Sequence, residues 1–153
     1  MARNYRQGYF APTHPEKYQG NPNQIIFRSA WEKSVMRYLD MTSSVVEWSS
    51  EEVIVDYWDK GNNKQRRYFP DFIIKVKRSD GLKTIMIEVK PFAQTQPPIP
   101  PKRMTKKGQM RIIEETQTYA TNLSKWEAAR EYCKRRGWEF MILTEYEIYG
   151  RKR

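Results

Sequence analysis

Arg67-Tyr68-Phe69-Pro70-Asp71-Phe72-Ile73-Ile74 places a proline beside a carboxylate inside an aromatic and β-branched run. Proline donates no ladder hydrogen bond and an unpaired carboxylate is costly to bury, so neither suits the middle of a central strand. The pair reads as a point where a strand diverges or bulges, aiming Asp71 into a cleft and away from the core. Upstream, EEVIVDYW (Glu51–Trp58) is extended and DKGNNK (59–64) is a turn cluster, which predicts a hairpin with RRYFPDFIIKVK (66–77). Downstream of the turn RSDG, KTIMIEVK (83–90) alternates. Thr84, Met86, Glu88 and Lys90 fall on one face, and Ile85, Ile87 and Val89 on the other. The same alternation groups Asp71 with Lys75 and Lys77 and turns Phe72, Ile74 and Val76 the opposite way.

The rest of the chain supplies the layers around these strands. The first residues, about 1–24, are rich in Gly, Pro, Asn and Tyr without a period and read as an irregular arm that packs by its aromatics. RSAWEKSVMRYLD (28–40) carries Trp31, Val35, Met36 and Leu39 at helical spacing, and VVEWSS (45–50) is extended. A proline-rich basic loop covers about 92–108. A long helix is expected from about Gln109 to Arg136, with a buried stripe of Ile113, Thr116, Ala120, Leu123, Trp126, Ala129 and Cys133. Gly137 is its stop, and Ser124 offers an N-cap that could divide it in two. WEFMILTE (138–145) is the last strand, followed by a frayed tail, GRKR. Helix, strands, long helix, strand is an α/β order, a mixed central sheet between helical layers in one domain spanning 1–153.

Composition narrows the function. Lys and Arg number 28 against 18 Asp and Glu among 153 residues, a formal charge of +10 that points to an anionic partner such as nucleic acid or, equally on charge, an acidic membrane. No apolar run reaches membrane-spanning length, and the start MARNYRQGYF lacks the apolar core of a signal peptide, so an unexported protein with no membrane partner is expected. Cys133 and His14 are each the sole residue of their type, which excludes a disulfide framework and a Cys/His zinc site. A metal here must be held by oxygen.

Asp71 and the Glu88-Val89-Lys90 triplet lie on neighbouring strands, so two carboxylates and an ammonium can meet at one sheet edge. Oxygen ligands of this kind suit Mg²⁺, with Mn²⁺ as a substitute, and such a cation lowers the pKa of water and neutralises charge developing on phosphorus. The plainer account of the triplet is a solvated Glu/Lys ion pair. Against it stands the apolar setting of Phe72, Ile73, Ile74, Ile85, Ile87 and Val89, where unpaired carboxylates would be costly.

A P-D followed by E-x-K on the next strand, with a Glu on the preceding helix, resembles the PD-(D/E)xK nuclease superfamily with its restriction-endonuclease-like core. RSAWE, EWSSEEVIV, RRYFPDFIIKVK, IEVKP and FMILTE resemble the head completion nucleases of T-even-like bacteriophages. The catalytic half is also similar to TnsA-type transposon endonucleases, in which the second acid can be Gln; Glu88 keeps the carboxylate here. The resemblance implies that Asp71, Glu88 and the Val89 carbonyl hold the metal, that Lys90 assists the attacking water, and that Glu32 is the helix acid. Glu32 is also the last member of an S-x-x-E capping box beginning at Ser29, so a purely structural role stays open, and Glu51 or Glu52 could substitute. On this likeness the chain is a Mg²⁺-dependent DNA endonuclease of the host cytoplasm, associated with the virion. It would act on packaged DNA ends before tail attachment, with head or portal proteins as partners. The alternatives are a non-catalytic virion protein that binds DNA or the portal, and a TnsA-like transposase subunit. Candidate DNA contacts are Arg66, Arg67, Lys102, Arg103, Lys106 and Lys107, with Asn122 and Lys125 as further cleft residues on the long helix.

Overall fold

The computed structural model describes residues 7–150. Its centre is a four-stranded mixed sheet in the order β3 (Val45–Ser50), β6 (Phe72–Arg78), β7 (Gly81–Val89), β8 (Glu139–Leu143). The first three strands run antiparallel, and β8 joins β7 in parallel with Ile87 opposite Met141 and Val89 opposite Leu143. A parallel partner requires a long crossover, which α2 (Lys106–Arg136) supplies. With α1 (Ala30–Met41) on the other face, the molecule is α/β, a mixed sheet flanked by helices, as the element order predicts.

Alternation assigns each face of the sheet to its own apolar layer. Phe72, Ile74, Ile85 and Ile87 pack with Val35, Met36 and Leu39 of α1 and with Trp48. Met86, with Ile73 and Phe140 beside it, meets Ala129 and Cys133 of α2 together with Val55, Tyr57 and Tyr68. Those last three belong to a separate hairpin, β4 (Val55–Asp59) and β5 (Lys64–Tyr68). The expected single strand across 66–77 is therefore two strands in two sheets. Pro70 lies at the crossing between them, fully buried, where no ladder partner is needed; it marks a junction and not a bulge.

Other expectations are corrected. The N-terminal arm is short-paired where it is described: β1 (Gly8–Tyr9) pairs with β2 (Ile26–Phe27), and Phe10 and Tyr18 stack edge-on against Trp48 at 5.9 and 4.7 Å. Residues 1–6 of that arm and 151–153 of the tail lie outside the described residues. The proline-rich loop opens with a 3₁₀ turn at Phe92–Thr95, and α2 begins at Lys106, capped by the Thr105 side chain, so Lys106 and Lys107 are helical. Ser124 does not divide α2: its hydroxyl donates to the Ala120 carbonyl inside the helix. Gly137 ends it in the left-handed conformation at φ 69°. Only the C-terminal half of the anticipated stripe is covered, at Trp126, Ala129 and Cys133, whereas Ile113 is 65% exposed because α2 runs past the sheet. A short α3 (Glu145–Tyr149), capped by Thr144, follows β8. No helix among the described residues is long and apolar enough to cross a membrane.

Candidate active site

The hairpin-to-sheet junction delivers Asp71 to the start of β6, beside the last residues of β7. There the Val89 N–H donates to Asp71 Oδ2 at 2.7 Å. The Asp71 carbonyl accepts from Glu51 N–H at 3.2 Å, and Glu51 holds a left-handed φ of 56° at this point, an uncommon conformation for a residue with a side chain. Glu88 precedes Val89 and shares the face of Met86, so its carboxylate points toward α2 and the hairpin and is only 5% exposed. The Tyr68 hydroxyl donates to Glu88 Oε2, and Lys90 Nζ lies 3.6 Å from Glu88 Oε1. The end of β7 is held by the Lys90 N–H, which donates to the Leu143 carbonyl at 2.9 Å. Asp71, Glu88, Val89 and Lys90 thus converge at one strand end.

Their environment is strongly anionic for its burial. Burial first, then the Glu88 charge, push the Asp71 carboxyl well above the usual carboxylate range, with Glu32 adding to the rise; the Val89 N–H and Lys90 oppose it. Burial, reinforced by Glu88, also raises the Tyr68 phenol, so it stays a donor to that carboxylate. Two neighbouring carboxylates, Glu88 buried and Asp71 half-buried, are oxygen ligands of the kind that fit a hard divalent cation. Among the described residues no three His, Cys, Asp or Glu side chains are grouped to ligate one ion together. The oxygen-bearing groups that meet at this strand end are Asp71, Glu88 and the Val89 main chain.

Glu32 closes the start of α1 and lies within electrostatic reach of the acids. Its N–H donates to Ser29 Oγ at 3.1 Å, and its Oε2 accepts from the Arg28 N–H at 3.0 Å, so it closes the helix start one residue beyond an ideal capping box. It is also electrostatically coupled to the acids: burial raises its pKa, the Arg28 N–H opposes this, and Glu51 and Glu88 raise it further. Glu51 itself is bound by the Arg28 guanidinium, and Glu52 lies by Gly20.

Two residues carry more of the site than the sequence suggests. Tyr68 escapes a reading by strand alternation, because its part depends on the chain turning at Phe69–Asp71; its place just ahead of Pro70-Asp71 is the available signal. Lys125, half-buried on α2, sits 5.7 Å from the centre of the Tyr68 ring, a cation–π distance. Burial lowers its pKa first and Lys90 next, while Glu88 opposes them, so a second ammonium faces the acids. Of the basic candidates, Arg66 is the one beside this group, and it is tied to Asp59 Oδ2 at 3.2 Å. Arg67, Lys102 and Arg103 are exposed. Lys106 and Lys107 are five turns from Lys125, roughly 28 Å along the helix.

The mixed central sheet with flanking helices is the fold of the TnsA-like nuclease class. The chain belongs to that family: residues 42–145 match the TnsA-like endonuclease N-terminal model. It is also 38% identical, over 138 residues, to the head completion nuclease of Enterobacteria phage T4, an alignment that covers 90% of each chain.

Proposed function

We propose that the protein is a PD-(D/E)xK endonuclease that hydrolyses DNA phosphodiesters with Mg²⁺ and serves phage head completion, acting on packaged DNA ends in the host cytoplasm before tail attachment. The observation that carries the reading is the bond from Val89 N–H to Asp71 Oδ2, which sets the Asp71 carboxylate beside Glu88 and Lys90. Asp71, Glu88 and the Val89 carbonyl would hold the ion. Bound there, Mg²⁺ supplies Lewis acidity and neutralises charge on the phosphate. Tyr68 fixes the rotamer of Glu88 through its hydroxyl. Lys90 orients the attacking water, whose oxygen bonds to phosphorus as the bond to the leaving oxygen breaks. Lys90 and Lys125 place two ammonium groups near the phosphate, where negative charge accumulates. The T4 relative, named a head completion nuclease, supports the phage role, and head or portal proteins are the partners that role requires.

The test is nicking of supercoiled plasmid by the pure protein with Mg²⁺, with Mn²⁺ and with chelator, in parallel with Asp71→Asn and Lys90→Ala. Cleavage that needs the cation and is lost in both variants supports the assignment. Equal nicking by all three proteins, or nicking indifferent to chelator, rejects it.

A further inference from the structure

Asp71 has a different neighbour on each flank. In the strand order β3-β6-β7, the end of β7 brings Glu88 and Lys90 to one side of it. The residue after β3, Glu51, comes to the other side and donates its N–H to the Asp71 carbonyl. At φ 56° Glu51 holds a conformation that glycine takes freely and that a residue with a side chain keeps only where its surroundings demand it. Its carboxylate is bonded to the Arg28 guanidinium.

Arg28 is the single residue between β2 and Ser29, the N-cap of α1. Its main-chain N–H is fixed by Glu32 Oε2 at 3.0 Å and its side chain by Glu51, so it ties the helix acid to the acid beside Asp71. The bond to Glu51 first, and then the Glu51 charge, raise the guanidinium pKa against partial burial. Glu32 and Asp71 add to the rise, which puts the Arg28 charge within electrostatic reach of Asp71. The Arg28 side chain is nevertheless 54% exposed. An ion pair this open adds little to folding, so stability alone does not account for a strained anchor at Glu51. A guanidinium carries five N–H donors in a planar fork. Glu51 takes up Nη1, and the fork that remains matches a two-oxygen edge of a phosphate.

We propose that Arg28 is a phosphate-binding residue of the cleavage site, its guanidinium anchored by Glu51 on the β3 flank of Asp71 and meeting two oxygens of the DNA phosphate across from Lys90. The proposal rests on the reading of Asp71, Glu88 and Lys90 as a DNA-cleaving site. Cations on both flanks then hold the phosphate over carboxylates that by themselves repel it. Glu51 acts through Arg28 and is a positioning residue.

The test uses the full chain on supercoiled plasmid, in single turnover at saturating Mg²⁺, with a melting temperature for every variant. Arg28→Ala should slow cleavage by on the order of a hundredfold. Arg28→Lys should recover no more than about tenfold of that, because an ammonium cannot make the two-point contact, and added guanidinium should restore part of the rate to Arg28→Ala. Glu51→Gly should slow cleavage while its melting temperature stays level or rises, since glycine adopts the left-handed φ without strain. Glu51→Gln separates phosphate binding from charge neutralisation. If Arg28 served only to offset Glu51, combining Arg28→Ala with Glu51→Gln would regain the wild-type rate; a phosphate contact leaves the double variant as slow as Arg28→Ala. Independently of catalysis, the slope of log Kd against log salt for duplex binding by Asp71→Asn should fall by about 1 when Arg28→Ala is added. A double variant restored to the wild-type rate, or a salt slope that Arg28→Ala leaves unchanged, overturns the proposal. If no protein cuts DNA but the slope still falls, the nuclease reading fails while the phosphate contact stands.

Discussion

Tyr68 and Lys125 both attend Glu88, one through a hydroxyl and one through charge, and their removal should have separable effects. Tyr68→Phe leaves the buried Glu88 carboxylate short of one donor, a loss of about 1–2 kcal/mol of folding stability. Because the hydroxyl also orients a would-be ligand, Mg²⁺ affinity should fall by on the order of tenfold, with cleavage recovering as Mg²⁺ is raised. Calorimetric titration with Mg²⁺ reads this directly, and an unchanged affinity would show that Tyr68 serves packing alone. Lys125→Ala should instead slow single-turnover cleavage by on the order of a hundredfold at saturating Mg²⁺, with Lys125→Arg retaining most of the rate. Recovery of Lys125→Ala by added Mg²⁺ would place it with Tyr68 and count against a phosphate contact. The convergence of Asp71, Glu88 and Lys90 is legible in sequence because alternation fixes which side chains share a face and the short turn at 78–81 fixes which strands adjoin. Tyr68 is not, because a side chain that reaches across a chain crossing obeys no period.

Among the elements, the β4–β5 hairpin is what carries Tyr68 and the approach to Asp71, and Asp59 is the polar anchor of its turn. Asp59 is fully buried and its carboxylate accepts from Gly61 N–H at 2.9 Å, Asn62 Nδ2 at 2.8 Å, Thr121 Oγ1 at 2.7 Å and Arg66 at 3.2 Å. The turn presses so closely on α2 that a Cβ on Gly61 would come within 2.5 Å of the Gln117 carbonyl. Gly61→Ala should cost about 1–3 kcal/mol and loosen the hairpin. Burial acts to raise the Asp59 pKa, but the donors on Asn62 and Thr121 and the Arg66 pair outweigh it and hold the carboxyl at about 2. A folded pKa below the unfolded one means that stabilisation is complete above pH ~4 and is lost as pH falls toward 2. Asp59→Asn should therefore be less stable than wild type at pH 6, with the gap between the two narrowing from pH 4 to 2 in denaturant melts; a constant gap would contradict the anchoring role. In the sequence DKGNNK announces only a turn. That the turn docks on Thr121, sixty-two residues later, depends on the course of α2, which also explains why Ser124 misleads: its hydroxyl satisfies a carbonyl within a continuous helix.

For the molecule as a whole, the charge of +10 has to be divided between a short-range and a long-range task. Lys90 is held against Glu88 and Lys125 over the Tyr68 ring, whereas Lys102, Arg103, Lys106 and Lys107 are exposed on the loop and the far end of α2. A separation of roughly 28 Å spans about eight base pairs of duplex, so this cluster can grip DNA flanking the cut without touching the reacting phosphate. Replacing the four by Gln should leave the cleavage rate at saturating DNA near wild type and weaken binding, most of all at low salt. The slope of log Kd against log salt should fall by up to about 3–4, because each cation withdrawn from a phosphate leaves about one counterion unreleased on binding. Fluorescence anisotropy with Asp71→Asn across a series of salt concentrations measures it without turnover. A slope unchanged by the fourfold substitution would move the DNA path away from the loop and onto the hairpin that carries Arg66 and Arg67, where the corresponding double substitution should then take the salt dependence with it.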